Sequence, residues 1–418
     1  MTEKKIELPI CSALIPVFYQ NFQCLTQDCK DCCCAEDWLI SFDKKDYLRL
    51  RRLDAPPALR EQLERLIRRK KKGKHDGKFY GQFDLESNHM RCPFLDEDGL
   101  CTFQLACGHD ALPWVCKTYP RNSFYTAAAK EYSLSPACEG VLQLLWDLPG
   151  GVEFLEDPLP QAEQMSMVIP RDENLLLYFA PVREAFIDIL QNRAMSLTER
   201  MLCLGVMIQR LQKEDWEDFD LDSWGKQTSL LTGSDAVREM DIPGNRDIYI
   251  LQNLHVLNAI AAQKRSWPAE IYKALEVEWN RVSGAGEDDP ADEKVRCNFS
   301  PNAYAKALAQ FKAAFSDYEY FFENLMVAAA LLIGFPKLDS KSELWKSYIS
   351  LCNLYSLYRF VSVSGCKGEA TKERLFHMIV MASRATLHNQ IQFKEFQQHL
   401  LRHGSSSLAH MAILLRWD

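Results

Sequence analysis

Five cysteines fall within eleven residues near the start of the chain: Cys24, Cys29, Cys32, Cys33 and Cys34, spaced C-x4-C-x2-C-C-C. A wider set follows in CPFLDEDGLC (Cys92 and Cys101), CKTYPR (Cys116 to Arg121) and SPACEG (Cys138). Thiolates bind soft and borderline metals, and four suffice for one zinc ion or one cubane cluster. Short spacings let one loop supply two or three ligands, and a distant set then closes the site by folding over it. Successive side chains point in different directions, so one or two of Cys32, Cys33 and Cys34 should face away from a shared metal. Pro93 and Pro120 stiffen the turns beside the second set.

Spacing alone leaves iron–sulfur and zinc both open. Structural zinc usually shows paired C-x2-C knuckles; this chain offers one such pair, Cys29 and Cys32, with no matching histidines. The pattern also misses C-x3-C-x2-C, the signature of radical S-adenosylmethionine enzymes, by one residue, and no β/α barrel pattern follows. Eleven of the 15 cysteines precede residue 139. The others, Cys203, Cys297, Cys352 and Cys366, stand alone on helix-like stretches and read as small buried apolar residues.

The elements that must position these thiols fall into three stretches. Residues 1–145 read as an irregular, cysteine-rich, metal- or cluster-binding region, and 146–170 as a Gly/Pro-rich connector. Residues 171–418 read as a helical domain with an acidic loop near 283–294. The expected fold is therefore mainly α, with the irregular region packed on the helical part. Leu175, Phe179, Val182, Phe186 and Ile189 recur at helical spacing, as do Leu344, Tyr348, Leu351, Tyr355 and Tyr358. Ser196 and Glu199 make a capping-box pattern, and Ser300-Pro301 opens a helix that could run from Asn302 to Ile333. Leu59, Leu63 and Ile67 suggest a short amphipathic helix with a basic tail, read as a solvated face or as a contact for an acidic partner.

The 418 residues carry a net charge of −8, against the basic face that nucleic-acid binding needs. The longest apolar run, Leu325 to Phe335, is shorter than the roughly 20 residues of a membrane span. Glu7, Pro9 and Pro16 interrupt any leader-like run, so the chain reads as cytoplasmic, where thiols stay reduced.

Three blocks, FQCLTQDCKDCCCAEDWLISFDKKDY, CPFLDEDGLCTFQLACGHDALPWVCKTYPR and YEYFFENLMV, resemble the flagellin lysine-N-methylase family of bacteria, in the same order and over most of the chain. The resemblance implies a cytoplasmic enzyme that transfers methyl from S-adenosylmethionine to lysine side chains of flagellin, with a cysteine-bound 4Fe-4S cluster taking part. It implies metal ligands among Cys24, Cys29, Cys33, Cys34, Cys92, Cys101, Cys116 and Cys138. Its W-x-I-x-(I/F)-D element falls on Trp38, Ile40, Phe42 and Asp43. The family has two adjacent cysteines where this chain has three, which leaves the ligand register open by one residue; Cys33 and Cys34 are favoured as the nearer to Trp38. Cys107 is an extra.

A lysine amine has a reference pKa of about 10.4 and must lose its proton before attacking a sulfonium methyl. Burial lowers that pKa, an acidic or tyrosine side chain can take the proton, and aromatic faces favour the cations. Tyr320 and Glu323 share a helix face and are the candidate catalytic residues, against the alternative of core and solvated positions. Tyr119 and Arg121 adjoin Cys116 and are the candidate contacts for the methyl donor, Arg121 through its carboxylate; the alternative is an ion pair within the fold. A Rossmann-type cofactor site would want a glycine-rich turn between strand and helix. The only such stretch, GAG at 284–286, lies in the acidic loop. The alternative function is a non-catalytic helical protein, stabilised by zinc or a cluster, that binds a partner or senses redox state.

Overall fold

The computed structural model describes residues 6–10, 12–35, 40–69, 79–85, 91–125, 130–158, 165–169, 178–214, 218–233, 235, 237–239, 244–262, 266–282, 294–338, 340–387 and 407–416. Cys11, Trp38, Leu175, the basic tail at 70–78 and the acidic loop at 283–293 lie outside them.

Helices dominate, as expected, but the first part of the chain is built on strands. β1 (Ile6–Ile10) pairs antiparallel with β9 (Met165–Ile169). β2 (Ser12–Pro16), β6 (Arg121–Tyr125), β7 (Lys130–Leu134) and β8 (Phe154–Pro158) form a sheet in the order β6-β7-β2-β8, with β2 and β7 parallel. A smaller sheet orders β3 (Ser41–Phe42), β5 (Gly81–Phe83) and β4 (Ile67–Arg69). The region read as irregular thus contributes strands to three small sheets, joined by loops and short helices. The expected connector supplies β8 and β9, each bonded to a strand at the beginning of the chain. A hairpin of β10 (Glu278–Val282) and β11 (Lys294–Asn298) flanks the acidic loop expected near 283–294, in a stretch otherwise read as helical.

The first helices are α1 (Val17–Gln20), α2 (Lys44–Arg51), α3 (Pro57–Leu66), α4 (Thr102–Cys107), α5 (Trp114–Thr118) and α6 (Glu139–Trp146). Asp43 caps α2 by accepting from Asp46 N, and α3 buries Leu59, Leu63 and Leu66. These last pack with Ile40, Phe42, Phe83, Phe94 and Phe103 into a small core of their own. Ile67, expected on the α3 face, begins β4.

The main core belongs to α7 (Phe179–Gln191), α8 (Leu197–Leu211), α9 (Leu221–Thr232), α10 (Arg246–Ala261), α11 (Pro268–Ala274), α12 (Pro301–Ala314), α13 (Glu319–Ile333), α14 (Lys341–Gly365), α15 (Lys372–Thr386) and α16 (Leu408–Leu415). Ser196 and Glu199 form the capping box of α8, and Ser300 accepts from Ala303 N with Pro301 at the first helical position of α12. The single helix expected from Asn302 to Ile333 is two, broken between Ala314 and Glu319. There Phe311, Phe315 and Tyr318 pack ring against ring, at 4.9 and 5.2 Å between centroids.

α14 is the axis of this half, buried on every side from Ser347 to Gly365. Two of its buried serines are satisfied within the helix: Ser350 and Ser362 donate to the carbonyls of Lys346 and Tyr358, at 2.7 and 2.6 Å. Close approach needs glycine at two crossings. A Cβ on Gly205 of α8 would lie 2.3 Å from Tyr348 Oη, and one on Gly365 2.1 Å from Met378 Sδ. Cys203, Cys352 and Cys366 are buried, whereas Cys297 lies half-buried on β11, a strand rather than a helix. A buried ion pair from Arg183 of α7 to Glu131 of β7, at 2.5 Å, ties the four-stranded sheet to the helices. Among the described residues no helix is long and apolar enough to cross a membrane.

Candidate functional site

The two cysteine sets meet. A cavity of about 370 Å³ is lined by Cys24, Cys29, Cys32, Cys33, Cys34, Cys92, Cys101, Cys116 and Cys138. All eight cysteines singled out as metal ligands are among them, with Cys32 added; Cys107 is not. Apolar side chains fill the wall between the thiols, among them Phe22, Leu25, Ile40, Phe94 and Phe103.

Each thiol is held by local backbone geometry. Cys92 N donates to Cys34 O at 2.8 Å, which docks the second set on the first. The chain then turns tightly: Asp96 N donates to Leu100 O, Thr102 N donates to Phe94 O, and Leu95 bridges Cys101. That turn presents Cys92 and Cys101 from neighbouring positions, with Cys101 at the N-cap of α4. Cys116 comes from α5, and Cys138 stands at the N-cap of α6. Glu139, the first residue of α6, grips the other side. Its Oε2 accepts from Asp31 N at 2.8 Å and from Cys29 Sγ at 3.4 Å.

Cys34 is the hub of the thiols, in hydrogen-bond contact with Cys32, Cys33 and Cys92. These bonds push Cys34 far above the usual thiol range and hold Cys33 and Cys92 below it, and Cys32 at about 6. Away from the hub, burial dominates: it raises Cys101 and Cys116, and carries Cys138 up to about 12. The donor set is thiol-rich, soft and numerous enough for a four-thiolate zinc site or a cubane cluster. Among the described residues, no three His, Cys, Asp or Glu side chains converge as they stand on one point that would hold a single ion.

Tyr119 and Arg121 also line the cavity. Tyr119 donates to Ala137 O at 2.8 Å, and burial pushes its phenol well up. Arg121 donates to Phe22 O at 2.9 Å and lies over the Phe22 ring, 4.9 Å from its centroid. Tyr320 and Glu323 are elsewhere. Tyr320 donates to Trp146 O at 2.9 Å. Glu323, 1% exposed, is clasped by Arg200 at 2.6 Å and by Arg193 at 2.9 Å.

Sequence reasoning missed three residues that frame the site. Arg384 of α15, 3% exposed, lines the cavity and donates to Asp31 O at 2.6 Å and Ala137 O at 3.3 Å. His377, two turns earlier on the same helix, meets the Asp31 carboxylate at 2.6 Å. Asp31 itself is buried within the cysteine run, between Cys29 and Cys32. No local signal links residues 353 positions apart in the chain.

A mainly helical protein closing a cysteine-lined cavity is the class these features define. The model of the FliB lysine N-methylase C-terminal domain matches residues 183–414, more than half of the chain. The chain belongs to the FliB lysine N-methylase family. It is 31% identical over 169 residues to a lysine-N-methylase of Salmonella choleraesuis (strain SC-B67), 39% of this chain and 40% of the relative. A lysine-N-methylase of Salmonella typhimurium (strain LT2) is 30% identical over 168 residues, with the same coverage. The flagellar biosynthetic protein FliU of Salmonella muenchen is 34% identical over 144 residues, 34% of this chain and 80% of the relative. The similarity thus spans about 40% of the length of the two lysine-N-methylases. No solved structure matches the chain.

Proposed function

We propose that this protein is a protein-lysine N-methyltransferase, transferring methyl from S-adenosylmethionine to lysine side chains of flagellin, with an iron–sulfur cluster held in the cysteine cavity. What carries the reading is the family membership, together with two relatives named lysine-N-methylase. The relative named as a flagellar biosynthetic protein supports flagellin as the substrate. The reading puts the enzyme in the cytoplasm, where free thiols persist.

The cavity suits the chemistry. A lysine amine entering between Phe22, Leu25 and Phe94 would leave water, and desolvation favours its neutral, nucleophilic form. The same aromatic faces favour a sulfonium. Arg121, a fixed positive charge on the cavity wall, is assigned to the carboxylate of the methyl donor, with Tyr119 beside it. Cys24, Cys29, Cys33, Cys34, Cys92, Cys101, Cys116 and Cys138 are the pool from which four would hold the cluster, with Cys32 competing for the register. A bound cluster would supply a Lewis-acidic or redox-active centre; the buried Arg384 offsets the negative charge of the thiolates around it. Tyr320 and Glu323 are left out of the reaction, because Glu323 has both oxygens committed to arginines.

The test is coexpression with flagellin followed by intact-mass measurement. Methyl-mass increments on flagellin lysines are expected, absent with a variant lacking Cys92 and Cys116. An unmodified flagellin with the wild-type protein sinks the reading. Iron and acid-labile sulfide in anaerobically purified protein are expected; stoichiometric zinc without sulfide would replace the cluster with a structural zinc site.

A further inference from the structure

Two large apolar side chains, one lining the cysteine cavity and one next in sequence to its lining, stand in solvent. Leu105 of α4 lines the cavity and is 67% exposed; Trp114, which opens α5 directly after the cavity residue Pro113, is 66% exposed. Neither is on a loosely held segment. Trp114 N donates to Asp46 Oδ2 at 2.7 Å, and Arg49 fixes that carboxylate at 2.9 Å. The ring is therefore held out from a rigid base.

Another turn of the lining carries exposed carboxylates. Leu95, Gly99 and Leu100 line the cavity, and the turn between them carries Glu97 and Asp98 exposed on its outer side. Asp96 is spent on the turn itself, accepting from Leu100 N at 2.7 Å. Asp110, fully exposed, adds a third carboxylate between Leu105 and Trp114, with His109 Nδ1 4.0 Å from it. Lys117 also lines the cavity, with its ammonium donating to Asp110 O at 3.3 Å.

We propose that this rim is where the substrate polypeptide docks: a segment carrying a lysine flanked by apolar side chains, the flanking residues against Leu105 and Trp114 and the ammonium drawn in past Glu97, Asp98 and Asp110. The inference rests on the methyltransferase reading and names its substrate-recognition surface. Exposed aromatic anchors dominate binding energy where they are rigid, and fixed charges around them steer and orient the partner.

The test measures binding without turnover. Purified monomeric flagellin is titrated against immobilised full-length protein, wild type, L105S/W114S, E97Q/D98N/D110N and L230S. Leu230 of α9 is equally exposed, at 72%, and lies away from the cavity. The L105S/W114S protein should bind at least tenfold more weakly, with circular dichroism and metal content unchanged. The charge variant should bind several-fold more weakly at low salt and lose that difference at high salt. L230S should bind as wild type does. Equal affinity of wild type and L105S/W114S, or an equal loss in L230S, overturns the rim, as does a wild type that does not bind flagellin. Methylation followed in parallel separates the two ideas: binding through the rim without any methyl transfer sinks the enzymatic reading and leaves the docking surface standing.

Discussion

Arg384 donates through Nη2 to the main-chain carbonyl of Asp31 at 2.6 Å, across a separation of 353 residues. His377 holds the side chain of the same aspartate at 2.6 Å. One face of α15 thus grips the cysteine loop by backbone and carboxylate together, and the C-terminal half of the protein fixes the shape of a site whose thiols all come from the N-terminal part.

Replacing Arg384 with Met removes the donor to Asp31 O and Ala137 O while keeping most of the apolar volume. A buried carbonyl left without a donor costs about 1–3 kcal/mol, so a loss of about 2–4 kcal/mol in unfolding free energy is expected. Hydrogen exchange should accelerate at Asp31 to Ala35 more than in α14. Unchanged exchange in that loop would mean α15 does not hold it.

Metal content should divide the cysteines by position. Cys92→Ser and Cys116→Ser, inside the cavity, should lose bound metal on anaerobic purification; Cys107→Ser, outside it, should retain it. The reverse pattern would remove the cavity as the metal site. Single serine variants of Cys32, Cys33 and Cys34 then fix the register by which of them releases the metal.

Glu323→Gln takes the buried carboxylate at 2.6 Å from Arg200, 4% exposed at its side chain, and leaves it only the more exposed Glu319 at 3.7 Å. Breaking a buried ion pair by removing one partner costs about 3–5 kcal/mol. Chemical denaturation should show that loss. Tyr320→Phe, which forfeits one hydrogen bond to Trp146 O, should cost only about 0.5–1.5 kcal/mol. If Glu323→Gln instead abolishes methylation at unchanged stability, the carboxylate acts in the reaction.

Glu199 has its carboxyl held below the ordinary value of 4.5: burial works against this, and the Ser196 amide and hydroxyl with the Arg238 guanidinium outweigh it. A carboxyl with a depressed pKa contributes stability that is present above about 4.5 and lost as pH falls through the lower folded value. The stability gap between wild type and Glu199→Gln should therefore be widest near neutrality and close on acidification below 4.5. A gap that widens in acid would contradict this sign.

What could be read in advance was short-range or carried by residue type. Ser196 with Glu199, and Ser300 with Pro301, announce helix starts within four residues, and the structure has both. The cysteines were conspicuous because few chemistries want so many thiols. The strands were not: β3 has two residues and β5 three, and β2 takes its partners from 130–134 and 154–158. Apolar spacing runs unbroken through Phe311, Phe315 and Phe322, so the break between α12 and α13 left no mark on it. Arg384 gave none either, since an arginine after the apolar run of α15 looks the same whether it meets solvent or a carbonyl. Whether Leu105 and Trp114 are core or rim is a property of the packed surface and has no counterpart in their spacing.

The walls of the cysteine cavity are contributed by residues from Phe22 to Arg384. During synthesis the first thiols leave the ribosome long before the arginine that steadies them has been translated. The cavity is therefore among the last features of the molecule to close, since its Arg384 wall is made after every one of its thiols. Until then the early thiols face the cell's oxidants and stray metals unguarded, which makes the timing of translation part of the chemistry of the site.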